Sequence, residues 1–260
     1  MIIAGLMLLA VGAADLVRQF APRRWIGYLT VTVILLILGS VSDALLPMIA
    51  ALIVGTLWVW CMPSERQAPL GFWPAVLLGV VSVGAVVWFG ARTEAGLIGE
   101  VWALRSPFGD VPFDLAVLAL GAGVFLLESA NLVVRAALDG EHTWRPLESA
   151  AAPVPEAPAP VTEGVEAADQ GAPAVRDPRA GFKGGRLIGP LERILVMILT
   201  LAAAYPILAA MLAAKGIVRF PEISRDGETG ARAEYFLVGS LVSWVIGLGA
   251  AFLVWWAAHS

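Results

Sequence analysis

Apolar residues in this chain come in long runs bounded by charge, proline or glycine, not in short alternating clusters. A helix needs about 20 mostly apolar residues to cross about 30 Å of hydrocarbon, and six runs approach that length: 2–17, 25–41, 44–62, 70–89, 111–138 and 235–258. Each predicts a membrane-length helix. The first lacks a positively charged start and ends in Asp15 and Arg18 without a small-residue cleavage site, so it reads as a retained helix. Trp25, Trp58, Trp60, Trp73, Trp88, Trp255 and Trp256 fall near run ends, where an amphipathic ring prefers the interface.

A further stretch, 187–218, is interrupted by Tyr205-Pro206. As one helix it would run about 48 Å, longer than the hydrocarbon core. It is either a seventh, kinked crossing or a hairpin that Pro206 breaks and that enters and leaves on one side. With the N-terminus outside, Arg18, Arg23, Arg24 and Arg66 fall inside, and Arg92 with Arg105 falls outside. A hairpin returns Lys215, Arg219, Arg225 and Arg232 to the cytoplasmic side, where the positive-inside rule wants them. The expected fold is therefore an all-α integral membrane protein with six transmembrane helices plus a re-entrant hairpin, in preference to seven crossings. Residues 148–180 carry six prolines, six acidic residues and almost no large apolar side chain, so they predict a disordered stretch. This gives a five-helix region (1–140), a cytoplasmic linker (141–182) and a C-terminal region (183–260).

Composition agrees with that pattern and narrows the function. The chain is 59% apolar and 15% charged, with mean hydropathy +0.81, against about 45–50% apolar and about 25% charged in a soluble domain. The lipid bilayer is the expected surroundings, with a bacterial plasma membrane as the location. Cys61 is the one cysteine, which excludes a disulfide scaffold, and a net charge of −4 gives no basic surface for nucleic acid.

Charges inside apolar runs are costly and usually face a bundle interior or a water-filled cavity. Glu128, Asn131 and Arg135 would share one stripe of a continuous helix, as an internal pair or as the lining of a binding or proton path. Arg186, Glu192 and Arg193 open the 187–218 stretch after Gly184-Gly185 and around Pro190. Lys215, Arg219 and Glu222 close it. In a hairpin both groups meet at one surface, where anionic lipid head groups are candidate ligands. Glu234 stands at the start of the last helix, followed by Gly239, Ser243, Gly247 and Ala251 at four-residue spacing. That seam lets a helix approach closely, from within the chain, from a second copy or from another membrane protein. Asp15 and Arg18 are spaced for an ion pair at the cytoplasmic end of the first helix.

Catalytic patterns are missing. The two histidines, His142 and His259, cannot form a zinc set, the glycines at 181–189 lack the Gly-Lys-Ser/Thr ending of a phosphate loop, and there is no Gly-x-Ser-x-Gly elbow. No metal or cofactor is expected. The pattern favours a non-enzymatic membrane scaffold or binding module with a charged cytoplasmic-face network of Glu192, Arg193, Lys215, Arg219 and Glu234. The rival is a small-solute or ion transporter using the Glu128, Asn131 and Arg135 stripe, and a lipid-directed enzyme is a third class. The surroundings of Glu128 discriminate: a hydrated path favours transport, and a seal against a cation favours the scaffold.

Three C-terminal blocks carry a resemblance: Gly185-Arg-Leu-Ile-Gly-Pro-Leu-Glu-Arg, Ala213-Ala-Lys-Gly-Ile-Val-Arg-Phe-Pro-Glu-Ile and Ala233-Glu-Tyr-Phe-Leu-Val-Gly-Ser-Leu-Val-Ser. They resemble the tail of a group of uncharacterised bacterial polytopic membrane proteins. The resemblance implies that Arg186, Glu192, Arg193, Lys215, Arg219, Glu222 and Glu234 act as one unit, and it implies no particular activity.

Overall fold

A computed structural model of the chain describes residues 1–63, 70–92, 95–106, 109–140, 185–224 and 231–260. The expected linker at 141–182 lies outside the described residues. Those described are mostly helical: α1 (Ile2–Phe20), α2 (Arg24–Val41), α3 (Leu45–Cys61), α4 (Trp73–Phe89), α5 (Gly96–Val101), α6 (Phe113–Leu127), α7 (Ser129–Gly140), α8 (Gly185–Leu201), α9 (Tyr205–Ser224) and α10 (Ala231–His259). A short antiparallel pair, β1 (Arg105–Ser106) and β2 (Gly109–Asp110), interrupts the helical pattern between α5 and α6, with Arg105 opposite Asp110.

Three helices are long and apolar enough to cross a membrane: α1, α2 and the Phe236–His259 part of α10. A fourth is added if α6 and α7, which meet at a 49° bend, are counted as one broken span. α3, α4 and the Tyr205–Val218 part of α9 are apolar but shorter.

The bundle is built around α1. Of its residues 67% are buried, against 11% in α2, although both are similarly apolar. The difference lies in the small residues of α1. A Cβ added at Gly5 would fall 2.8 Å from the Leu118 backbone nitrogen, and one at Gly12 would fall 2.8 Å from that of Phe125. These glycines, one per two helical turns, let α1 and α6 approach with backbones nearly touching. Gly121 of α6 faces the Gly5 carbonyl from the other side. α3 closes on the same helix with Gly55 against Ala10. Outward residues such as Ile34, Ile37, Leu46, Leu77 and Val80 are exposed, which suits surfaces that lipid would cover.

Two expectations about helix continuity change. The run at 111–138 is two helices, because Glu128 takes φ −118° and ends α6. The 187–218 stretch is also two helices, but the break falls at 202–204, just before Tyr205-Pro206, with Ala203 at φ 54°. Pro206 then stands in the first turn of α9, where its missing N–H has no helical partner to lose. Pro190, expected near a helix start, lies inside α8.

Candidate functional site

A buried polar layer forms where α6 meets α7. Nothing in the local sequence is an obligate breaker, since 124–131 contains neither proline nor glycine. The break follows from side chains entering the backbone ladder. Arg193 of α8 donates from Nε to the Leu126 carbonyl at 3.1 Å, and Asn131 donates from Nδ2 to the Leu127 carbonyl at 3.3 Å. Two carbonyls that a straight helix would satisfy with its own amides are thus satisfied from outside the ladder.

Arg193 is 2% exposed, the most deeply buried described cation. Besides Leu126, its guanidinium donates to Oδ1 of Asn131 and, at 3.4 Å, to Oγ of Ser243 on α10. One side chain therefore ties α8 to α6, α7 and α10. Asn131 turns its amide nitrogen to Oε2 of Glu128 at 3.2 Å, relaying the guanidinium toward that carboxylate. Glu128 is buried and lies within electrostatic reach of both Arg193 and Asp15.

Asp15 continues the layer into α1. It is 1% exposed and accepts from Arg18 on Oδ1 and from the Trp58 indole on Oδ2 at 2.9 Å. Arg18 also donates to the Met62 carbonyl at 2.7 Å, tying the end of α1 to the end of α3. Of the two carboxylates, Asp15 pairs directly with Arg18, and Glu128 is linked to Arg193 through Asn131. Hydrogen bonding and opposite charge nearby offset part of the penalty of burying these groups.

A second cluster lies beside it on the hairpin. Lys215 of α9 reaches both Glu192 oxygens of α8 at 2.7 Å, and the Trp244 indole of α10 donates to Oε1 at 2.9 Å. The ammonium lies 5.6 Å from the Trp244 ring centroid and 5.9 Å from that of Phe236, within cation–π range. Lys215→Met is expected to loosen α9 from the bundle, seen as faster proteolysis within 205–224 with the remaining helices protected. Unchanged proteolysis of that segment contradicts the tethering role.

The residues singled out in the sequence are distributed as follows. Glu128 and Asn131 stand together at the bend, whereas Arg135 is exposed and Arg193 supplies the guanidinium of the layer. Glu192 and Arg193, adjacent in sequence, serve two clusters: Glu192 faces Lys215 and Trp244, and Arg193 faces Asn131 and Ser243. Glu234 is exposed. The side chains of Arg186, Arg219 and Glu222 lie outside the described residues. The seam of α10 packs within the chain: Gly239 faces Leu138, Gly247 faces Val196 and the Arg193 carbonyl, Ser243 meets Arg193, and Ala251 is fully buried.

Trp58 differs from its expected interfacial role. It is 4% exposed, with its indole on Asp15 and its ring edge-on to Phe125, 5.8 Å between centroids. The other six tryptophans placed near run ends are exposed, Trp88 at 85%. Asp15 and Trp58 belong to the polar layer although sequence reasoning assigned neither to it. A carboxylate eleven residues after Ala4 inside an apolar run was the available signal.

No protein-family model, curated protein or solved structure matches this chain. What the fold and site define is a class: a mostly helical bundle with helices of membrane length and a buried, hydrogen-bonded polar layer that carries charges of both signs.

Proposed function

We propose that the chain is an integral membrane scaffold of the bacterial plasma membrane, a binding module without reaction chemistry of its own. In this reading the buried layer locks an N-terminal bundle to a C-terminal hairpin. The observation that carries it is the seating of Arg193: a guanidinium 2% exposed and bonded to three separate helices is placed to join elements. Its donors are met within the protein, and buried Glu128 is reached from it through Asn131. A transporter would need the same groups to face a hydrated route.

The topology we propose is six crossings, α1, α2, α3, α4, α6 with α7, and α10, plus a re-entrant α8–α9 hairpin. Helical rise supports the hairpin's shallow depth. Measured from the polar layer, α8 ends at Leu201, eight residues past Arg193 or about 12 Å, whereas α6 runs thirteen residues from Leu126 back to Phe113, about 20 Å. α10 continues sixteen residues past Ser243 to His259, about 24 Å. The Lys215–Glu192 pair holds α9 antiparallel to α8, so both outer ends return to one side. The positive-inside count then puts that side, with the linker, in the cytoplasm. Anionic lipid head groups are the ligands that its Arg and Lys residues would meet there.

Single cysteines in a Cys61→Ser background test both parts. Cysteines at Ser224 and Thr162 are expected to label from one side of sealed vesicles and one at Ala91 from the other; opposite labelling of Ser224 and Thr162 removes the hairpin. Ser129→Cys places a near-isosteric thiol at a fully buried position of the polar layer. It is expected to resist impermeant thiol reagents in the folded protein. Rapid reaction there would reveal a water path and favour the transporter.

A further inference from the structure

At the end of the bundle opposite the buried layer, α5 and the β1–β2 pair border an open pocket of about 990 Å³ with the ends of α2 and α6. The segment forming it is fastened at several points. Arg92 donates to both carboxylate oxygens of Asp114, at 3.0 and 2.8 Å, and to the carbonyls of Ser42 and Asp43 at 3.0 and 3.2 Å. Its hydrogen bonds to Asp114 hold the guanidinium pKa above its ordinary value against the opposing effect of burial, so Arg92 stays charged. Trp102 donates to the Val111 carbonyl at 2.8 Å and sets its ring edge-on to Phe113, 5.3 Å between centroids. Gly96, at φ 60°, packs its α-carbon where a side chain would strike the Val41 carbonyl, drawing α5 onto α2.

The groups left to the cavity are of three kinds. Arg105 and Asp110 form an ion pair on its rim at 3.4 Å, with side chains 86% and 84% exposed. Such a pair is worth little in water and separates easily. Asp43, also on the rim, adds a second exposed carboxylate. Leu97 and Leu104 line the cavity while remaining exposed, at 70% and 49%, which makes an apolar lip. Charges of both signs on the rim, a fixed polar floor and an apolar lip together suit an amphiphile whose head carries both signs.

We propose that this cavity binds a group bearing phosphate and ammonium together, the chemistry of a zwitterionic phospholipid headgroup. Arg105 takes the phosphate, because guanidinium supplies charge and directed donors to its oxygens. Asp110, released from Arg105, and Asp43 take the ammonium. The exposed ion pair opens at little cost, and both partners regain an opposite charge. A volume of about 990 Å³ exceeds a bare headgroup and fits within the range of ligand pockets, leaving room for the glycerol and first methylenes against Leu97 and Leu104. The assignment rests on the membrane reading above, because a bilayer is what brings such a lip to the lipid.

The test uses the full chain in nanodiscs of equal phosphatidylethanolamine and phosphatidylglycerol, with retained lipid read by native mass spectrometry. Phosphatidylethanolamine is expected to be retained over phosphatidylglycerol by about fivefold. Arg105→Ala and Asp110→Asn, both on exposed side chains, are each expected to bring the ratio near unity without lowering the Tm. In a second arm, soluble O-phosphoethanolamine is added to delipidated protein in detergent. A Tm rise that Arg105→Ala abolishes, without lipid retention, upholds the headgroup chemistry and assigns it to a solute. Equal retention of the two lipids with no Tm rise overturns the proposal, as does selectivity that survives both substitutions. Recovery of the chain in the soluble fraction without detergent sinks the membrane reading instead, independently of both arms.

Discussion

Arg193→Met is expected to destabilise the protein by about 3–5 kcal/mol, because it removes one partner of a buried charge set and leaves the rest in place. Glu128 loses the guanidinium relayed to it through Asn131, and the Leu126 carbonyl at the α6–α7 break loses its donor. Melting in detergent, followed by tryptophan fluorescence or by loss of the monodisperse peak, reads the effect. Arg193→Lys keeps the charge but cannot address Leu126, Asn131 and Ser243 at once with one ammonium, so it should fall between wild type and Arg193→Met. Adding Glu128→Gln to Arg193→Met removes the stranded carboxylate and should recover part of the loss. That non-additivity distinguishes a charge network from a packing defect. If Arg193→Met instead melts at or above wild type, apolar packing outweighs the network, as happens when some buried ion sets are replaced, and the locking role fails.

Helix positions and the expensive residues within them were legible because each follows from a short-range rule. Run length marks helices that suit a bilayer, and a polar or ionisable residue inside such a run marks a partner-seeking position. Glu128, Asn131, Glu192, Arg193 and Lys215 all emerged that way. Their pairings were not legible, because pairing across helices depends on a fold that one sequence does not specify. Glu192 and Arg193 are neighbours by number but about 100° apart around α8, enough to send them to different clusters. Trp58 illustrates the same limit. A tryptophan three residues from a helix end suits the interface equally well, and only the arrival of Asp15 beside it gives the indole N–H a buried acceptor. The 49° bend at Glu128 has the same origin, since the donors that displace the ladder come from Arg193, sixty-seven residues downstream of Leu126, and from Asn131.

The seam of α10 could be read from its four-residue spacing, yet the tighter contact belongs to α1 and α6. There the signal was present but thinner: Gly5 and Gly12 are seven residues apart, and their counterpart Gly121 is more than a hundred residues away. This contact gives a prediction of sign. Alanine normally improves on glycine in a helix interior by about 1 kcal/mol. Gly79 and Gly84 of α4 have nothing within 4 Å of an added Cβ, so Gly79→Ala and Gly84→Ala should be neutral or stabilising by up to that amount. Gly12→Ala should go the other way. Its Cβ would sit 2.8 Å from the Phe125 nitrogen and 2.8 Å from the Val124 carbonyl carbon, and a partner backbone cannot rotate aside as a side chain can. The helices must separate, and because α1 is the post on which α3, α4 and α6 pack, the shift spreads. A loss of about 1–3 kcal/mol is expected for Gly12→Ala, and a larger one for Gly5→Ala with Gly12→Ala, measured as Tm under identical detergent conditions. Equal, small stabilisation at all four glycines would mean that α1 and α6 do not touch as closely as their backbones indicate, and the central position of α1 would fall with that contact.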